Sequence, residues 1–140
     1  MMRDSPVRWL VPIGLVSVGV LLLVALSLFD GRTPVQSTID SIPDREAFVT
    51  AGRHVIAACA SGDEWSSVDR GTLPAEICPA PSIASVSSSG AEFVYGGGFG
   101  HWGLVVTKGD DPSPELRDWF RRTGHPLRRL GPGLWLWKGE

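Results

Sequence analysis

An uncharged apolar run of 21 residues, 9–29, constrains this chain more than any other feature. At about 1.5 Å per residue, a helix of that length spans roughly 30 Å, the thickness of a bilayer's hydrocarbon core. A domain built from what remains could not cover such a helix on every side. Pro12 falls in its first turn, where a missing N–H costs least, and Trp9 suits the interface. A cleaved signal peptide has a shorter apolar region, about 7–15 residues. The run predicts a signal-anchor: a cytoplasmic tail at 1–8, a transmembrane helix at 9–29, a linker at 30–40 and an extracytoplasmic domain at 41–140.

Flanking charge contributes little to that orientation, because Arg3 and Arg8 before the run are nearly matched by Arg32 and Arg45 after it. The cysteines carry the argument instead. Cys59 and Cys78 are the only two, and both follow the run. In an oxidising compartment they would pair, and a disulfide closing a loop of that length stabilises a small domain by about 3 kcal/mol. Two buried thiols in a reducing compartment is the alternative. Their spacing fits neither a CxxC redox motif nor a four-ligand zinc site.

The net charge of −2 lacks the basic excess of a nucleic-acid binder. With no asparagine there is no N-glycosylation site.

Downstream, Ser41 and Asp44 are placed to open a helix in which Phe48, Ala51, Val55 and Cys59 form one apolar face. That face delivers Cys59 to the core, near Cys78. Residues 60–81, rich in serine, glycine, proline and acid, predict an irregular loop; Asp63 and Glu64 lack the repeated spacing of a calcium site. From Ile83 the period falls to two, predicting strands over 83–88, 93–95 and 102–107. Ser113, Pro114 and Glu115 occupy the preferred cap, first-turn and dipole positions of a second helix, which Gly124 ends. Residues 125–130 and 134–138 read as two more strands. The class is α+β, with a mainly antiparallel sheet and two helices behind the transmembrane helix.

Residues 96–103, Gly-Gly-Gly-Phe-Gly-His-Trp-Gly, are the most unusual stretch. They contain a literal GxGxxG from Gly98, but a dinucleotide site needs those glycines to open a helix. Here they enter the strand that carries Leu104, Val105 and Val106, and Asp118 falls in a helix rather than at a strand end. Two readings stand: a tightly turned hairpin needing glycine backbone freedom, or a ligand-facing loop of Gly97, Gly98, Phe99, His101 and Trp102. His101 has no nucleophile or carboxylate assigned to it by spacing. His54 and His125 lack metal-binding partners, and no GxSxG or SxxK is present. No metal or cofactor is therefore expected. Trp135 and Trp137 share one face of the last strand and Leu134 and Leu136 the other, which fits either a central strand or one whose tryptophans meet a ligand. The arginines between 117 and 129 form either a solvated face or a contact for an anionic partner or lipid head groups.

The segment Gly96-Gly-Gly-Phe-Gly-His-Trp-Gly103 followed by Gly133-Leu-Trp-Leu-Trp137 resembles small uncharacterised bacterial proteins that share a GGGF-x-H-x-G segment and a closing GLW strand behind an N-terminal hydrophobic segment. The resemblance spans about the last 60 residues. It implies a bacterial α+β domain and no particular activity. The resulting expectation is a membrane-anchored extracytoplasmic domain that binds a protein or cell-envelope ligand. An enzyme built on His101 and a structural envelope component are the alternatives.

Overall fold

The computed structural model describes residues 33–96 and 100–139. The apolar run 9–29 lies outside them, and among the described residues no helix is long and apolar enough to cross a membrane. Contacts divide the chain after Ser37. The unit from Thr38 onward is an α+β domain with one antiparallel sheet, and the described residues hold three α-helices, the first of which crosses the division.

The stretch 30–40 is not all linker, since Pro34–Asp40 forms a helix, α1. Thr33 Oγ1 accepts the amide of Gln36 at 3.2 Å, and Pro34 sits at the first helical position, where its fixed φ favours the turn. Helix α2, Arg45–Cys59, starts three residues later than Ser41 would have set it. Asp44 is the cap: its Oδ1 accepts the amides of Glu46 and Ala47 at 2.9 and 3.0 Å. Helix α3, Pro114–Arg122, has the expected cap, Ser113 Oγ accepting the Leu116 amide.

The strands are β1 (Ser66–Ser67), β2 (Ile83–Ser87), β3 (Gly90–Tyr95), β4 (Trp102–Thr107), β5 (Arg128–Gly131) and β6 (Leu134–Lys138). They form one sheet in the order β1-β2-β3-β4-β6-β5, with every neighbour antiparallel. Residues 125–127 precede β5 rather than belonging to it, and β1 is a short addition inside the predicted loop. Strand β6 enters between β4 and β5, and both of its faces are apolar because both are buried, Trp135 and Trp137 on one side and Leu134 and Leu136 on the other.

Period-two alternation assigns the residues of each strand to one sheet face or the other. One face turns Ala91, Phe93, Leu104, Val106, Leu134 and Leu136 toward α2; Phe48 meets Phe93 edge-on at 5.5 Å. Gly52 is the closest approach, since a Cβ there would lie 2.7 Å from Val106 Cγ2. Arg53 ties α2 to the sheet's end, donating to Thr107 O at 3.2 Å and to Asp110 Oδ1 at 3.0 Å. The opposite face carries Val105, Trp135 and Trp137 under Leu116 and Phe120 of α3, with Trp65, Val94 and Leu127 at the margins.

Cys59 and Cys78 are both free, exposed thiols, so the disulfide expected between them is not formed. The helical stripe misplaced Cys59. The buried face of α2 ends at Val55 and Ile56, while Ala57, Ala58 and Cys59 in the last turn are all exposed.

Candidate functional site

The glycine-aromatic segment divides on inspection. Gly97, Gly98 and Phe99 lie outside the described residues. On either side of them Gly96 and Gly100 have φ of +82° and +144°, backbone that only glycine adopts without strain. The segment runs from the end of β3 at Tyr95 into β4, which begins at Trp102. Trp102 is buried and stacks on Tyr95 with ring centroids 5.0 Å apart. The Tyr95 hydroxyl donates to Pro79 O at 2.9 Å, which holds the 60–81 stretch to the sheet. Burial first, and Cys78 second, push this phenol's pKa above its ordinary value, so it remains a donor.

His101 is exposed, and its carbonyl accepts the Gly139 amide at 2.7 Å. His101 Cβ and His125 Nε2 both lie within 4 Å of the position a Cβ would take at Gly139. The His125 ring lies 4.8 Å from that of Trp137. Among the described residues no three metal-ligating side chains converge.

Trp135 and Trp137 are 7% and 6% exposed, so they form core under α3 and not an open platform. A Cβ at Gly103 would fall 2.6 Å from Trp137 Nε1, so only glycine at that point of β4 lets the indole lie across the strand. The indole thereby approaches Glu92, on the same face of β3. Burial raises the Glu92 pKa from the usual carboxylate range. Ser85 Oγ, 3.3 Å away, and the Trp137 N–H favour the charged form and offset part of that rise, although the indole completes no hydrogen bond of good geometry.

The open aromatic surface lies elsewhere. Trp65 precedes β1 on the α3 side of the sheet, and Trp119 stands on the adjacent flank of α3. Their centroids are 5.8 Å apart, and Trp119 is 37% exposed, a high value for so large an apolar ring. Together with Leu116 they line a groove of about 630 Å³, within the range of small-ligand and peptide pockets. Asp63, Glu64 and Glu115 stand at its rim against a single cation, Arg122. The β2–β3 turn braces one wall: Ser88 Oγ donates to Asp63, and the Ser88 amide donates to Gly62 O at 2.8 Å.

Sequence patterning missed this groove because its parts are far apart in the chain and none forms a motif. Trp65 was one aromatic in a polar loop, and Asp63 and Glu64 stood out only as lacking the spacing of a calcium site. The visible signal was Trp119, an extra aromatic beside Phe120 on a helix too short to bury both. Compared with protein-family models, with curated proteins and with solved structures, the chain matches none.

Proposed function

We propose that this chain is a membrane-anchored binding domain whose α3 groove takes a basic, partly apolar segment of a protein partner. The exposed Trp119 ring beside Trp65 carries the reading, because three carboxylates surround the pair and one arginine opposes them. Tryptophan faces attract ammonium and guanidinium groups and also bind aliphatic stems, while the carboxylates select the positive charge. Such a groove needs no catalytic constellation. The anchor is read from the uncharged length of residues 9–29, and the bacterial setting from the resemblance described above.

The test uses the full chain in lipid nanodiscs with ¹⁵N-labelled tryptophan. A short peptide of alternating lysine and leucine is titrated against one of alternating glutamate and leucine. The expected result is movement of the Trp65 and Trp119 indole resonances with the basic peptide alone, abolished by Glu64→Gln with Glu115→Gln. Equal movement with both peptides, or none with either, would reject the groove as a cation-selective site.

A further inference from the structure

Of the eleven lysines and arginines that follow the apolar run, five lie within 13 positions: Arg117, Arg121, Arg122, Arg128 and Arg129. Folding brings members of this group together from two elements. Arg117 on α3 and Arg129 on β5 both reach the Trp135 ring, their guanidinium carbons 5.9 and 5.7 Å from its centroid. Arg121, one turn after Arg117, extends the same flank of the helix. Asp118 pairs with Arg121, and Asp111 lies 3.6 Å from Arg129; among the described residues no carboxylate is within ion-pair distance of Arg117. All three arginine residues are exposed. The two guanidiniums stacked on Trp135 rest on a buried indole, so their stems are held while their charge faces water.

Position in the sheet gives this patch a direction. Strand β5 is one edge and β1 the other, with four strands between them, roughly 24 Å at the usual strand spacing. The acidic groove lies on the flank of α3 nearest Trp65 and β1, and the arginines lie on the flank nearest β5. The domain is therefore electrically two-sided along the sheet. The apolar run 9–29, read as a membrane anchor, supplies a plane for it to meet: eight residues separate Phe29 from Thr38, and the last four of them, 34–37, belong to α1, so the tether is short.

We propose that Arg117, Arg121 and Arg129 dock the domain on the anionic head groups of the membrane in which residues 9–29 lie, turning the acidic groove away from the lipid. This rests on the membrane-anchor reading. Tethering keeps the domain where a surface potential is felt, and that potential decays over about 8 Å at physiological salt, so only the nearest face is held. An anionic surface attracts the β5 edge and repels the rim of Asp63, Glu64 and Glu115. The head groups set the orientation, and the groove is left open to a partner.

The experiment places the full chain in nanodiscs of phosphatidylcholine alone, or with phosphatidylglycerol, and follows amide hydrogen exchange. Exchange over 114–131 should slow severalfold with phosphatidylglycerol, revert in high salt, and revert in the Arg117→Gln/Arg121→Gln/Arg129→Gln variant. Unchanged protection of β3 and β4 in that variant shows that it is folded. Equal exchange in both lipids, with the chain in the discs, overturns the docking and leaves the anchor standing. Failure of the chain to enter the discs removes the anchor and this proposal with it. Equal protection by free glycerol phosphate over phosphatidylcholine discs would replace the surface with a discrete phosphate site.

Discussion

Gly52 on α2 offers a sharp test of how the helix meets the sheet. In an exposed helix, alanine in place of glycine stabilises by about 1 kcal/mol. Here the added Cβ would lie 2.7, 2.8 and 2.9 Å from Val106 Cγ2, Cβ and Cγ1, against a contact optimum of about 3.5–4.0 Å. Rotating the valine does not relieve this, because its Cβ is itself too close. Val106 is fully buried on β4, which is hydrogen-bonded to β3 and β6. Relief requires lifting α2 by close to 1 Å, loosening Phe48 on Phe93. Overpacking of this kind costs about 1–3 kcal/mol and outweighs much or all of the helix-propensity gain. We expect a net loss of about 1 kcal/mol, or a fall in Tm of roughly 4–8 °C for a domain near 100 residues. Thermal unfolding of Gly52→Ala by circular dichroism in detergent micelles reads this directly. Pairing it with Val106→Ala should recover stability, with a coupling of about 0.5–3 kcal/mol. A rise in Tm for Gly52→Ala alone, as in a solvent-facing helix, would refute the close contact between α2 and β4.

Two further measurements bear on the redox setting and the buried carboxylate. Cys59 and Cys78 should both react with a thiol reagent in the native protein before any reductant is added; a requirement for reductant would restore the disulfide inferred from the sequence. Burial raises the Glu92 pKa, so the folded state holds this proton more tightly than the unfolded chain does. Its contribution to stability is fully present below the unfolded pKa and is lost as pH rises through the folded pKa. Glu92→Gln should therefore gain stability relative to the parent as the pH is raised across that window, measured by urea unfolding; a constant difference would contradict the burial effect.

What was legible in the chain is what period and capping record. Ser113, Pro114 and Glu115 announced α3, and the two apolar faces of residues 134–138 allowed two readings, of which the central strand is the one found. The misses have local causes. Thr33 and Pro34 carry a valid helix start, but only Ile39 in α1 is buried, so no apolar stripe advertised it. Asp44 outcompeted Ser41 as the cap of α2 by accepting two amides. Cys59 continued the stripe in sequence after the buried face had ended. The groove depends on Trp65 and Trp119, 54 positions apart, and only the α3–sheet packing brings them together.

If residues 9–29 anchor the chain as proposed, the sheet's two margins have a consequence for a protein held in one plane. Open strand edges recruit one another, and neighbours sharing a bilayer would meet repeatedly in similar orientation. Strand β1 presents two residues, too short a template for a ladder. Strand β5 carries Arg128 and Arg129 and an irregular register before Gly131, so like charge and broken spacing oppose a matching edge. Crowding should therefore leave these domains as separate units rather than join their sheets into a fibre.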